Sequence, residues 1–248
     1  MCTLTVVPLA SGVVRIAFNR DESRSRAAAL PPHVRQFGSR AVVFPTDPLS
    51  GGTWFAVNDA GLVLAALNVN LPERDRSGPK MPRSRGEVIP SLLECDSPSA
   101  ALEACGRLGY CDFAPFRLVL IGRGLVADVR WDGREPMVMS RLVGGAPQMF
   151  TSSGLGDHLV EGVRRELLDE LFASGPDSWE AAQHAFHRHR WPGREHLSVN
   201  MSRDTARTVS HAVIDLNAVE AVLAYHSDAP DQQAELTTVR LSLAPGAA

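Results

Sequence analysis

Lysine is almost missing from this 248-residue chain: Lys80 is the only one, so nearly all positive charge is guanidinium. An anion bound here would therefore meet arginine forks rather than ammonium points. A basic surplus is missing as well. The formal net charge of −3 argues against nucleic-acid and membrane-surface partners. No apolar run approaches the roughly 18 residues needed to span a bilayer. The first residues lack the basic start and unbroken apolar stretch of a signal peptide, since Pro8, Ser11 and Gly12 interrupt them and Arg15 follows. Cysteine is scarce. Cys2, Cys95, Cys105 and Cys111 form no Cys-x-x-Cys pair, which argues against a zinc site, and they do not resemble a disulfide framework, which suits a reducing compartment. Gly-x-Gly-x-x-Gly, Walker, Gly-x-Ser-x-Gly and His-Glu-x-x-His motifs are all lacking. The expectation is a soluble, cytoplasmic protein with no resident cofactor or metal.

What is present is an ordinary globular balance, 44% hydrophobic and 21% charged. Thr3 to Val7 and Val13 to Phe18 are β-branched, apolar runs around a Pro/Ser/Gly turn, which predicts a hairpin. Thr53 to Val57 and Leu62 to Leu67 predict a second. Residues 69 to 86, rich in Pro, Arg, Ser and Gly, predict an exposed loop. Ser97 and Pro98 start a helix. Phe116 to Ile121, Leu125 to Trp131 and Pro136 to Leu142 predict three strands. Leu159, Val163, Leu167, Leu168 and Leu171 then fall at helical spacing, and Asp177 caps a further helix to about Arg188. Strands are expected at His196 to Met201, Thr208 to Leu216, Val219 to His226 and Leu236 to Leu243. Hairpin-linked strands at both ends with helices between define an α+β chain with antiparallel sheets, and nothing marks a domain linker within residues 1–248.

The first hairpin carries the chemistry. A turn near residue 10 or 11 sets Cys2 opposite Asn19, beside Arg20 and Asp21, within one residue of register. Removal of Met1 would give Cys2 a free α-amine on the carbon that bears its thiol. The amine (pKa about 7.7–8.0) can take the thiol proton (pKa about 8.5) near neutral pH. Arg20 favours thiolate and Asp21 can hold the ammonium. The plain alternative is a small residue at a strand start and a solvated turn. Asn68 and Asn70 close the strand Leu62 to Leu67, where an amide can donate to an oxyanion or simply form a turn.

Met1-Cys2-Thr3, Asn19-Arg20-Asp21-Glu22, Gly51-Gly52-Thr53-Trp54 and Asn68-x-Asn70 together resemble the NRDE family, the Transport and Golgi organisation protein two group. Arg83 to Glu87 and Thr205 to Thr208 resemble later segments of that family, in the same order. The same stretches are more distantly similar to the choloylglycine hydrolase and penicillin V acylase amidases, of N-terminal-nucleophile (Ntn) type. That resemblance implies a four-layer αββα sandwich of two antiparallel sheets flanked by helices. It also implies Cys2 as nucleophile, Asp21 as its acidic partner and Asn68 in the oxyanion hole. Three departures stand out. The amidase arginine precedes the aspartate by three positions, where this chain has Phe18, with Arg20 adjacent instead. A second amidase asparagine falls near Ser152. Their late arginine has no secure match, with Arg165 and Arg207 as candidates.

The site read from sequence thus comprises catalytic Cys2, Arg20, Asp21 and Asn68, with Trp54, Asn70, Arg85, Ser152 and Arg207 toward substrate. Trp54 suits a pocket wall or the core equally. Arg74, Arg76, Arg83 and Arg85 form either an anion-binding lip or a plain exposed loop offset by Glu73 and Asp75. His184, His187 and His189 share a helix and are read as a solvated face, with metal or haem ligation the alternative. Two functions stand: hydrolysis of a small amide or thioester at Cys2, or non-catalytic carriage of haem or an acyl lipid, which the family resemblance keeps open.

Overall fold

The computed structural model describes residues 2–71 and 83–244. The chain opens with a hairpin, β1 (Cys2–Pro8) and β2 (Val14–Ser23), at the centre of the first sheet. The next seven strands build the second sheet in sequence order: β3 (Leu30–Phe37), β4 (Arg40–Thr46), β5 (Phe55–Asn58), β6 (Val63–Asn68), β7 (Phe116–Ile121), β8 (Leu125–Trp131) and β9 (Pro136–Leu142). Helix α1 (Pro98–Cys105) lies between β6 and β7, capped by the Ser97 hydroxyl, which accepts from the Ala100 N–H. The chain then returns to the first sheet with β10 (Gln148–Ser152). Helices α2 (His158–Phe172) and α3 (Trp179–Arg188) follow, and β11 (Ala206–Leu216), β12 (Glu220–His226) and β13 (Leu236–Ser242) complete that sheet in the order β10-β1-β2-β11-β12-β13. Every pairing between these strands is antiparallel.

The two-residue period of each strand sorts side chains into layers. Leu4, Val6, Ile16 and Phe18 of the first sheet meet Val57, Val63, Ala65 and Val119 of the second in one inter-sheet core. Phe18 stacks on Phe55 across it, ring centroids 5.3 Å apart, a burial whose loss to alanine costs about 3–5 kcal/mol. Leu64, Leu118 and Val129 on the second sheet's other face pack on α1. Val7 and Met149 on the first sheet's outer face pack on α2 and α3. The result is the four-layer αββα arrangement that the resemblance implies.

The three strands over 116–142 fall where their apolar runs end. Others correct the sequence reading. His196 to Met201 forms turns, not a strand. Its carbonyls are taken by side chains instead: Leu197 and Ser198 by Arg164, Val199 by Asn19, which removes the need for a ladder partner. Strands β3, β4 and β10 have no counterpart in that reading. β3 hides behind Pro31-Pro32 and an irregular register between Leu30 and His33, and β10 is only five residues long. The buried stripe of α2 is Val160, Arg164, Leu167, Leu168 and Phe172, rotated from the expected one because an arginine occupies an apolar position. Of the expected loop at 69–86, residues 72–82, with Arg74 and Arg76, lie outside the described residues, and Arg85–Glu87 is a single 3-10 turn.

Candidate active site

The Pro8–Val14 closure of the first hairpin sets Cys2 opposite Arg20, with Thr3 opposite Asn19. The register therefore differs by one residue from the expected Cys2–Asn19 pairing, because the turn centres on residue 11. The shift has chemical weight. Directly opposed residues share a face, so Cys2 and Arg20 both look toward the second sheet, while Asn19 and Asp21 look toward the helices.

A cleft of about 250 Å³ opens at this end of the sheets, and Cys2, Arg20, Asp21, Trp54, Asn68 and Arg85 line it together with Glu22, Arg26 and Asp47. Six residues singled out in sequence, spread over 84 positions, thus share one cavity. Arg20 stands with its guanidinium carbon 3.9 Å from the Trp54 ring centroid, so Trp54 serves cleft and core at once. Arg20 Nη2 donates to Asp47 Oδ2 at 2.7 Å, both side chains buried, and Arg26 Nε donates to the same oxygen at 2.8 Å. Burial pushes the Asp47 carboxyl up, but bonds from Arg26 and from the Ser50 and Leu49 N–H groups outweigh it and leave its pKa lowered. Asp47, absent from the sequence reading, is the counter-ion of the cleft. Asp47-Pro48-Leu49-Ser50 is a turn signature that offered the clue.

Ser152 lies outside the cleft lining, on the strand next to Cys2. Cys2 pairs with it across β1–β10, and the Cys2 N–H donates to Ser152 Oγ at 3.1 Å. Burial raises the Cys2 thiol pKa; the positive N-terminus and the Asp21 N–H pull it down, and the Asp21 charge pushes it up. Burial likewise raises the Asp21 carboxyl, opposed by Arg164, the N-terminal charge and a 2.7 Å bond from the Thr208 hydroxyl. Asn68 ends β6 half-buried at the cleft wall, and its amide makes no hydrogen bond among the described residues.

Two sequence candidates sit elsewhere. Asn70 Nδ2 donates to Asp157 Oδ1 at 3.1 Å, and Asp157 also accepts from the Ser153 N–H, so Asn70 fastens β6 to the start of α2. Arg207 pairs with Asp228 and lies outside the cleft lining. The arginine behind the site is instead Arg164, next to the candidate Arg165. Wholly buried, Arg164 donates to Thr3 Oγ1 at 2.8 Å and Thr151 Oγ1 at 2.6 Å, under the Cys2–Ser152 pair. Desolvation lowers its pKa to about 10, and the Asp21 charge works against that fall. Its helical spacing with Val160, Leu167 and Leu168 was the legible signal. Of the three histidines expected on one solvated helix face, His184 is exposed, His187 is buried and bonded to Thr5 and Asn19, and His189 follows the end of α3 in extended backbone. No group of metal-ligating side chains gathers among the described residues.

The fold defines a class of architecture. The chain superposes on a mutant of the conjugated bile acid hydrolase from Clostridium perfringens with a TM-score of 0.57 and 11% identity, covering 100% of this chain and 98% of that one. A variant of the same hydrolase gives 0.56 at 13% identity, with 98% of each chain covered. The Caenorhabditis elegans ortholog of N-acylethanolamine-hydrolyzing acid amidase gives 0.57 at 14% identity, covering 86% of this chain and 92% of that one. At such identities the likeness is one of fold: the Ntn-amidase sandwich. Within that class, residues 13–135 match the model of the Transport and Golgi organisation 2 family, the group that the Asn19–Glu22 run resembles. No curated protein matches the sequence.

Proposed function

We propose that this protein is an Ntn-type cysteine hydrolase of a small amide or thioester. The observation that carries the reading is that Cys2, Asp21 and Asn68 line one cleft, with Ser152 beside Cys2 on the next strand, its Oγ 3.1 Å from the Cys2 nitrogen. With Met1 removed, that nitrogen is the α-amine. Neutral amine takes the thiol proton, with Ser152 holding it in place. The Cys2 sulfur adds to the acyl carbon, and the oxygen, gaining the electron pair of the C=O π bond, accepts from the Asn68 amide. Collapse expels the leaving amine or thiol with the proton from the ammonium. Water then releases the acid by the same steps. Arg85 reaches the cleft with a single hydrogen bond, to the Pro115 carbonyl, and no carboxylate within ion-pair distance among the described residues. This suits a substrate with an anionic group near its scissile bond.

The second reading, a carrier of haem or an acyl lipid, draws on the burial of Cys2, 7% exposed, with its thiol pKa raised. A thiol held neutral suits a pocket wall. One experiment separates the two: intact mass before and after brief iodoacetamide treatment at mildly acidic pH. Hydrolysis expects loss of Met1 and one fast alkylation that disappears in Cys2→Ala. Retained Met1, or alkylation of Cys2 no faster than at Cys95, Cys105 and Cys111, overturns it. Saturable haem or acyl-CoA binding untouched by Cys2→Ser then supports the carrier.

A further inference from the structure

Two open sheets present four edge strands, and an uncovered edge is a template for another strand. Three are covered or blunted here. β10 packs beneath α2. β13 packs against β3 and β4, so these two edges shield each other, and β3 also carries Pro31-Pro32 and its register irregularity. Among the described residues nothing gives β9 such protection. All seven of its residues are exposed, with Met137 at 46%, Val138 at 52% and Met139 at 50%. An edge this long and apolar is unusual on a free surface.

The sequence of this edge is self-complementary. We propose that β9 pairs antiparallel with β9 of a second copy, about a two-fold axis through Val138, joining the two seven-stranded sheets into one. Such an axis sets Val138 against its own copy, and Met137 against Met139 twice over. It also sets Glu135 opposite Arg141. Both are exposed, and neither side chain has an ion pair within the described residues of its own chain. The charges that flank the apolar centre therefore gain partners in the dimer. A shift of the axis to Met139 sets Met137 against Arg141 and Glu135 against Val143, which separates the two charges. Pro136 starts the strand, where a missing N–H interrupts the ladder least. One strand per partner is a small interface, so the dissociation constant expected is micromolar.

Sedimentation of the full chain across the micromolar range tests this. The expected result is a concentration-dependent monomer–dimer equilibrium. Val138→Lys, which sets like charges against each other at the axis, should leave only monomer while far-UV circular dichroism and thermal midpoint stay those of the parent. Glu135→Arg and Arg141→Glu should each weaken the dimer about tenfold, and the double reversal should restore it. Val138→Cys should give an oxidised covalent dimer that Met139→Cys does not. Monomer at every concentration, a dimer indifferent to Val138→Lys, or two reversals that merely add overturns the proposal.

Discussion

Cys2 and Arg20 stand directly opposite each other on β1 and β2 and share the face that looks into the cleft. The register thus gives the thiol a guanidinium neighbour and sends Asp21 to the other side of the sheet, beside Thr208 and Arg164. Asn19, Arg20, Asp21 and Glu22 form one run in sequence but three environments in space. Asn19 ties α3 to the sheet through His187 and also bonds His211 on neighbouring β11, Arg20 and Glu22 face the cleft, and Asp21 lies beneath Cys2.

Arg20 is held by an ion pair with both partners out of water, Asp47 being its carboxylate. Removing one member of such a pair leaves a buried charge and costs about 3–5 kcal/mol when no other partner remains. Arg26 still reaches Asp47, so Arg20→Met should lower stability by about 2 kcal/mol, and Asp47→Leu by more, because Arg20 then loses its buried counter-ion. Urea midpoints of the two variants and of the double mutant check this. The double should be more stable than the sum of the single losses implies.

Asn68 and Asn70 separate chemistry from structure. On the hydrolase reading, Asn68→Ala removes an oxyanion donor and should lower kcat by about 100- to 1000-fold while the urea midpoint holds. Asn70→Ala removes its bond to Asp157 and should lower stability by about 1 kcal/mol with kcat little changed. Turnover of a substrate found by amide and thioester screening, read beside denaturation, distinguishes the pair. Equal losses of kcat at the two positions would remove Asn68 from the oxyanion hole.

These pairs also show how far the sequence could be read. The hairpin, the helical middle and the Cys2, Arg20, Asp21 and Asn68 constellation follow from apolar runs, turn residues and short motifs, which are local. What escaped is decided at long range. Arg164 sits on an apolar stripe and becomes intelligible only once Thr3, Thr151 and the turn at 197–198 surround it. The segment 196–201 has the alternating apolar–polar look of a strand, with Leu197, Val199 and Met201 in step, but side chains 33 and 180 residues away take its carbonyls first. Asp47 precedes a proline and reads as a plain turn until Arg20 and Arg26 meet on it.

Acid should loosen the α3 side of the first sheet. His187 and His211 both aim Nδ1 at Asn19 Oδ1, at 3.0 and 2.8 Å, and His187 Nε2 lies 2.7 Å from Thr5 Oγ1. Burial holds both rings neutral, lowering His187 well below its usual range and His211 to about 3. Folded pKa values below the unfolded value mean stability is complete above about pH 6.5 and declines as pH falls toward 3. Each ring contributes a slope of up to about 1.4 kcal/mol per pH unit. Urea denaturation between pH 7 and 4 should show this decline, and His211→Gln should make it shallower. An unchanged slope in that variant would mean His211 does not resist protonation.

Arg164 gives the sharpest structural prediction. Its guanidinium satisfies two hydroxyls on β1 and β10 and two carbonyls of the 197–198 turn, and it opposes the desolvation of Asp21. Arg164→Met fills much of the same volume but strips four acceptors of their donor and leaves Asp21 with less positive charge nearby. The expected cost is about 3–5 kcal/mol, and the Asp21 pKa should rise further, because its largest opposing charge has gone. Arg164→Lys keeps the charge but not the fork and should recover the Asp21 effect more fully than the stability. Carbon-detected titration of the Asp21 carboxyl, alongside urea unfolding of both variants, reads the two effects separately. If Arg164→Met leaves that titration in place, Arg164 is a scaffold bolt with no electrostatic hold on the residues beneath Cys2.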